Sequence, residues 1–218
     1  MKPDVTVKAP TVAREVRDTD ATPFTSILEA LLTRVPGAYA ATLVDSEGET
    51  VDYCGRGDPF DLRVAAAHLQ LALQEVARFG GLGDPRWLVI RGPRKSLAIT
   101  ALPDGYALGL LLGPRSAFTV SPRALDVCVR ALCLEAGWAG AIAPGTNERS
   151  WFAVRVETDP RGRPLRIDAT GTTIAVEVLG AVMGLPVRER GYRVRASDGR
   201  ELTLVREAKD LWYADEAL

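Results

Sequence analysis

Proline marks the start of three amphipathic segments, and this punctuation constrains the fold more than any other feature of the sequence. Each proline follows a residue whose side chain can cap a helix: Thr22-Pro23, Asp58-Pro59 and Ser121-Pro122. Proline suits the first helical position because its φ is already helical and its missing N–H would have no partner there. The three pairs therefore predict where three helices begin, and the glycine-containing stretches that follow predict where they end.

Five strands are predicted in the intervals between these helices. The first two form a hairpin over residues 41–44 and 49–54, with a turn at 45–48 whose last residue is glycine. Three more strands follow the second helix, at residues 86–92, 95–103 and 106–113, separated by proline- and glycine-containing turns. This order predicts an α+β domain, in which a five-stranded, mainly antiparallel sheet has helices on both faces.

The second helical segment carries two stripes of side chains where one would be enough. One stripe is apolar throughout: Leu62, Ala65, Ala66, Leu69, Leu73 and Val76. The other is mixed and lies about a quarter-turn or more away: Val64, His68, Leu71, Glu75 and Arg78. A helix that covers one sheet needs a single apolar stripe. The second stripe therefore indicates either a further packing surface or a helix buried on several sides, and both readings stay open.

Composition excludes several classes of function. The chain has 218 residues, 47% of them hydrophobic and 25% charged, with a formal net charge of −1. This is ordinary for a soluble globular protein and provides no global attraction to nucleic acid or an anionic membrane. Residues 1–20 lack the apolar core of a secretory signal. The three cysteines form no C-x-x-C pair, which predicts buried free thiols in a reducing, cytoplasmic compartment.

Catalytic machinery is not expected in this chain. There is no G-x-x-x-x-G-K-[ST] loop for nucleotide phosphates, and the stretch "GPRKS" at 92–96 is typical of a tight turn between strands. His68 is the only histidine, which excludes a multi-histidine metal site and disfavours a histidine-based triad. We therefore predict an interaction protein without enzymatic activity, cofactor or metal.

A second, β-rich domain is predicted at residues 151–218, after a linker at 140–150. Its predicted elements are strands near 151–158, 163–170, 192–197, 200–207 and 210–216 and a short helix at 172–184. It holds eleven Arg or Lys and eleven Asp or Glu residues. Arg188, Arg190, Arg193 and Arg195 alternate along strands, which indicates either an anion- or nucleic-acid-binding surface or solvated faces paired with nearby acids.

The order of elements over residues 21–139 resembles the bacterial type of the roadblock / dynein light chain family. The segments that carry the resemblance are "ILEALLTRVPGAYAATLVDSEGETVDYCG", "DLRVAAAHLQLALQEVARFG", "RWLVIRGPRKSLAITALPDGYALGLLLG" and "ALDVCVRALCLEAG". The resemblance implies a dimer in which the second helices lie side by side and the third strands join the two sheets. It also implies a partner, a small Ras-like GTPase that docks on the paired helices. Residues 1–20 are polar, with Pro3 and Pro10, and are predicted to form a flexible arm.

Roles for individual residues follow from this resemblance. The expected dimer interface consists of Val64, His68, Leu71, Glu75, Trp87 and Val89. The expected partner-binding residues are Arg63, Gln70, Gln74 and Arg78, of which the two arginines are also candidates for an arginine finger. The second subunit is either another copy or another roadblock chain. A profilin-like domain that senses a small ligand shares much of this topology and is the alternative.

Overall fold

The N-terminal half of the protein is a five-stranded antiparallel sheet flanked by helices. The computed structural model describes residues 17–218, apart from 82, 84, 86, 115, 117–119, 139–149 and 170. Within these ranges the helices are α1 (Pro23–Arg34), α2 (Pro59–Ala77) and α3 (Pro122–Glu135). The strands are β1 (Ala38–Val44), β2 (Thr50–Gly55), β3 (Trp87–Arg91), β4 (Ser96–Ala101) and β5 (Ala107–Leu112), in the spatial order β2-β1-β5-β4-β3.

All three predicted helix starts are confirmed by capping hydrogen bonds. The side chains of Thr22, Asp58 and Ser121 each accept a hydrogen bond from a backbone N–H two or three residues further on, at 3.1, 2.9 and 3.1 Å. A proline begins each helix. These side chains satisfy donors that the first turn of a helix leaves free, so replacing one with alanine costs about 1 kcal/mol.

Helices cover both faces of the sheet, as predicted. On one face α1 and α3 pack through Leu28 and Leu132 against Leu110. On the other face α2 packs through Leu69 against Ile99. The central strand β5 is buried along its whole length. Both faces of β5 are covered, and this explains why its sequence is apolar throughout and does not alternate with polar residues.

A close approach of α2 to the sheet depends on a glycine of β5. A Cβ at Gly109 would lie 2.6 Å from Thr42 Oγ1 and 3.3 Å from Leu69 Cδ1. Any larger residue would push β1 or α2 outward, because such distances lie inside van der Waals contact. Gly109, in the sequence "LGLLLG", thus lies where α2 packs closely on the sheet.

The C-terminal part is a closed antiparallel barrel of six strands in the described residues. They are β6 (Phe152–Thr158), β7 (Pro164–Ala169), β8 (Thr172–Val182), β9 (Arg190–Ala196), β10 (Glu201–Arg206) and β11 (Trp212–Ala214). Ile167, Val194, Leu204 and Trp212 fill its interior. Closure pairs the last strand with the first, so the barrel leaves few free strand edges.

The short helix predicted at residues 172–184 is wrong, and β8 takes its place. The segment is rich in β-branched residues, namely Thr172, Thr173, Ile174, Val176, Val178 and Val182. Their stiff side chains favour strands. Exposed and half-buried positions alternate along β8, and the strand pairs with β7 and β9. Pairing on both sides satisfies the backbone of a segment whose apolar spacing alone resembled a helix.

The barrel docks on the outer side of α1 and α3. Tyr213 is fully buried and belongs to the same cluster as Leu28 and Leu132. Arg123 of α3 forms ion pairs with Glu189 at 2.8 Å and Glu207 at 2.7 Å. The two parts therefore share both apolar and ionic contacts.

Two segments named in the predicted domain division fall largely outside the described residues. These are the linker at 140–150, of which only residue 150 is described, and the arm at 1–20, of which residues 17–20 are described.

Candidate interaction surface

The second stripe of α2 faces solvent along the helix. Val64, His68, Leu71, Glu75 and Arg78 are all exposed, Leu71 by 55%. Phe60 and Phe79 extend the row at its two ends and are 67% and 71% exposed. We call these seven residues the α2 stripe. In this chain α2 is buried only on the side that carries Leu62, Ala66, Leu69, Gln70 and Leu73, so the helix is not enclosed on several sides.

Next to the α2 stripe the sheet ends in an uncovered edge. β3 is the last strand of the sheet and pairs only with β4 among the described residues. Trp87 is 38% and Ile90 40% exposed. A cleft of about 440 Å³ joins helix and edge, and both Val64 and Ile90 line it. An apolar edge strand of this kind is a template for pairing with another chain.

Val89, which was predicted at the interface, is less exposed than Trp87 and faces away from α2. It is half-buried and packs against the cluster under α1 and α3, whereas its neighbour Leu88 packs against the cluster under α2. Alternation along β3 produces this difference, because successive side chains point to opposite faces. Val89 can therefore contribute to an interface through its backbone at the free edge.

The predicted partner-binding residues have contacts within the chain. Gln70 is only 3% exposed, and its Nε2 donates to the Gly105 carbonyl at 2.7 Å. Gln74 Nε2 donates to the Ser46 carbonyl at 2.7 Å. Both amides tie α2 to the turns that join sheet strands. The buried position of Gln70 removes its side chain from any surface that a partner could reach.

The arginines of α2 are also engaged. Arg63 Nη2 lies 2.6 Å from Asp18 Oδ2. Arg78 forms an ion pair with Glu75 one turn earlier, where both side chains are largely exposed. Exposed pairs of this kind contribute little to stability, about 0–1 kcal/mol, and exchange partners readily. Arg78 thus remains on the surface, whereas Arg63 is tied to the segment that precedes α1.

A buried carboxylate that the sequence analysis did not single out organises this N-terminal segment. Asp52 of β2 accepts hydrogen bonds from Arg17 at 2.7 Å, Thr22 Oγ1 at 2.5 Å and Thr25 Oγ1 at 2.6 Å. Burial raises the pKa of Asp52, but these hydrogen bonds outweigh burial and lower it below its usual value. The signal in the sequence was an aspartate between apolar residues of a strand, "TVDYC".

A second carboxylate extends the network to α2. Asp18 accepts hydrogen bonds from Arg63 and from the hydroxyl of Tyr53. The bond from Arg63, and after it the bond from Tyr53, lower the pKa of Asp18 to about 2. Residues 17–20 are therefore attached to both β2 and α2 by charged hydrogen bonds.

The described residues show neither a metal-binding cluster nor an exposed cysteine. No group of three His, Cys, Asp or Glu side chains within them could hold a metal ion. The three cysteines are buried, and burial raises the pKa of Cys128 to about 12, so its thiol is not a nucleophile at neutral pH. None of the described helices combines the length and apolar character that crossing a bilayer requires.

Two of the four arginines singled out in the barrel are paired with an acid. Arg193 and Arg195 share Glu201 across the β9–β10 pair, at 3.3 and 2.8 Å. The sequence left open whether these arginines form an anion-binding surface or solvated faces paired with acids. For Arg193 and Arg195 the second alternative holds. Arg188 and Arg190 lie exposed at the other end of β9.

Comparison with known proteins gives a match in structure alone. No family model and no curated protein matches the chain. The roadblock/LC7 domain from Streptomyces avermitilis is 22% identical, with 51% of this chain and 96% of that chain aligned and a TM-score of 0.42. MglB from Myxococcus xanthus is 20% identical, with 54% of this chain and 99% of that chain aligned and a TM-score of 0.45. The gliding protein MglB from Thermus thermophilus is 22% identical, with 52% of this chain and 87% of that chain aligned and a TM-score of 0.44.

The resemblance predicted from the sequence is thus also found when structures are compared. Solved roadblock structures align with about half of this chain, its N-terminal part, and the remainder is the barrel.

Proposed function

We propose that this protein is a non-enzymatic dimeric scaffold or regulator that binds a small Ras-like GTPase through its paired α2 helices. The observation that carries the proposal is the α2 stripe beside the free edge of β3. Leu71, Phe60 and Phe79 are each more than half exposed, and Trp87 lies exposed at the edge. Extended apolar patches of this kind mark interaction sites on soluble proteins.

A two-fold dimer would cover both features at once. In a symmetric interface the same patch meets itself, so the β3 strands pair with each other while the two α2 helices lie side by side. Pairing β3 with β3 satisfies the free backbone groups of both edges. Val64, His68, Leu71, Glu75, Trp87 and the backbone of Val89 form the proposed contact.

The GTPase is proposed to dock on the surface that the two helices build together. Roadblock resemblance supplies the class of partner, and the polar residues beside the α2 stripe supply candidate contacts. Arg78 is exposed, and Gln74 is half-exposed at the same end of the helix. Arg63 becomes available only when its pair with Asp18 opens. Gln70 is not among the proposed contacts because its side chain is buried.

The dimer is tested by light scattering after size-exclusion chromatography, with Leu71→Asp as the variant. Its matched control is Leu134→Asp, since Leu134 is similarly exposed (62%) but lies on α3. A charge in a buried interface core costs about 2 kcal/mol or more, so we expect the Leu71 variant to weaken the dimer by about thirtyfold. The control should match the wild type. A wild-type monomer at high concentration would overturn the dimer.

The partner is tested by a pull-down from native lysate, run in excess GDP and in a non-hydrolysable GTP analogue, with mass spectrometry as the readout. We expect a small GTPase to be enriched in one nucleotide state by the wild type and not by Leu71→Asp. Absence of any small GTPase in both states would contradict this part of the proposal, whatever the oligomeric state.

A further inference from the structure

A cleft of about 510 Å³ lies where the end of α1 meets the barrel. Both parts of the protein contribute to its wall, so the cleft exists only because the barrel is docked. Its volume falls within the range of sites for small organic ligands, about 300–1,000 Å³. The cleft is lined by the charged residues Arg34, Arg155, Arg206 and Asp210 and by the apolar residues Val154, Val156 and Trp212.

The cleft opens at a gap in the barrel wall that the short last strand creates. β11 has three residues and pairs with β6 only at Phe152, Ala153 and Val154. β6 continues to Thr158, so on this side its last four residues lack a described strand partner. The segment before β11 turns away through Lys209 and Asp210, which have positive φ of 64° and 58°. Such backbone is costly for residues other than glycine and is common around ligand sites.

Positive charge is in excess in the cleft. Arg206 is compensated, because its Nε donates to Asp210 Oδ1 at 2.5 Å. Arg34 and Arg155 form no ion pair with an acid in the described part of the chain: Arg34 interacts with the neutral Tyr213 hydroxyl, and Asp168 lies opposite Arg155 in the strand register without pairing with it. Three arginines against one aspartate leave a formal excess of two positive charges at the mouth of the cleft.

The inner wall of the cleft is apolar. Val154, Val156 and Trp212 line it, and the Arg206 guanidinium lies 5.9 Å from the centre of the Trp212 ring. Val154 and Val156 point into the barrel, to the opposite face of β6 from Arg155, so a ligand held by the guanidinium groups would meet this apolar surface through the gap beside β6. Arginine matches this use because its planar fork binds phosphate oxygens in pairs and tolerates apolar surroundings.

We propose that this cleft binds a small organic phosphate, with the phosphate held by Arg34 and Arg155 and the apolar part against Val154, Val156 and Trp212. The size and partial enclosure of the cleft fit a small molecule. A nucleic acid would need an extended basic track, whereas Arg193 and Arg195, further along the barrel, are paired with Glu201. The proposal does not depend on dimerisation or on a GTPase.

The test uses isothermal titration calorimetry of the full chain with three probes: phenyl phosphate, inorganic phosphate and phenol. We expect saturable binding of phenyl phosphate, weaker binding of inorganic phosphate and none of phenol, because the charge anchors the ligand and the ring adds apolar contact. Arg155→Gln and Arg34→Gln should each weaken phenyl phosphate binding by about tenfold, the usual cost of losing a charged hydrogen bond.

Arg166→Gln is the matched control. Arg166 lies on the neighbouring strand β7, is paired with Glu157 and does not line the cleft, so affinity should stay at the wild-type value. Arg155 is exposed, and its variant therefore tests the site even if the half-buried Arg34 proves necessary for folding. The proposal is overturned if phenyl phosphate shows no saturable binding, if Arg155→Gln binds as the wild type does, or if Arg166→Gln loses as much.

Discussion

The helices on the two sides of the N-terminal sheet differ in what covers their outer surfaces. On one side, α1 and α3 are themselves covered by the barrel, with Tyr213 fully buried among their leucines and Arg123 paired with two barrel glutamates. On the other side, α2 presents Leu71 and Phe79 to solvent. The difference teaches that the two faces of the sheet have different fates: the barrel buries Tyr213 against α1 and α3, whereas no described element covers the row through Leu71 on α2. The covered side joins the two parts of the chain, and the uncovered side is the one on which the proposed association would take place.

The strongest test of the covered side is Tyr213→Ala. Removing a fully buried aromatic ring leaves a cavity between the barrel and the α1–α3 cluster, and we expect the free energy of unfolding to fall by about 3–5 kcal/mol. Urea denaturation measures this loss. Tyr213→Phe keeps the ring and should stay within about 1 kcal/mol of the wild type. If the alanine variant lost less than about 1 kcal/mol, the barrel would be only loosely attached to α1 and α3.

The next largest effect is expected for Arg123→Met. Its side chain is 14% exposed, and removal leaves Glu189 and Glu207 as neighbouring carboxylates without their shared cation. Breaking such a pair costs about 3 kcal/mol in the free energy of unfolding. Arg166→Met is the control, because Arg166 and Glu157 are both 58% exposed and their pair should contribute less than about 1 kcal/mol. Equal losses in the two variants would contradict the distinction between buried and exposed pairs.

A smaller, pH-dependent effect is expected for Asp52→Asn. The pKa of Asp52 is lowered in the folded protein, so its contribution is present above the unfolded pKa and is lost as pH falls through the folded value. At neutral pH the variant should be less stable by about 1–2 kcal/mol. The gap between wild type and variant should narrow below about pH 4, near the usual aspartate pKa. Urea denaturation at neutral and acidic pH measures it, and a constant gap would contradict the network.

The smallest effect on folding is expected on the uncovered side, for Phe60→Ser. Phe60 is 67% exposed in the chain, so the free energy of unfolding should change by no more than about 0.5 kcal/mol. The measurement uses dilute protein, because association would otherwise add to the stability of the wild type. A large loss in the dilute monomer would mean that the α2 stripe packs within the chain.

Local chemistry made much of the N-terminal fold predictable. The helix starts at Pro23, Pro59 and Pro122 depend on a capping side chain and a fixed φ within a few residues, and all three are found. Residues 172–182 show where this reasoning fails. Their apolar spacing fits a short helix, but pairing with β7 and β9 turned them into a strand. Neither partner strand is visible from the segment itself.

The candidate sites were predictable in part for the same reason. The exposed row through Val64, His68 and Leu71 follows from helical periodicity and needs no knowledge of the rest of the chain. The burial of Gln70 does not, because it requires the turn that carries Gly105, 35 positions away. The cleft between Arg34 and Arg155 was not predicted at all, since it forms only when α1 and the barrel meet.

By itself the sequence determined where helices begin, where most strands run and which helix carries a second, mixed stripe of side chains. These properties depend on caps, backbone restrictions and periodicity within one segment. Only the tertiary structure decided that β8 is a strand, that Asp52 holds Arg17, and that the barrel covers α1 and α3 while α2 stays open. Those outcomes depend on residues distant in the chain, whose contacts form only when the whole molecule is folded.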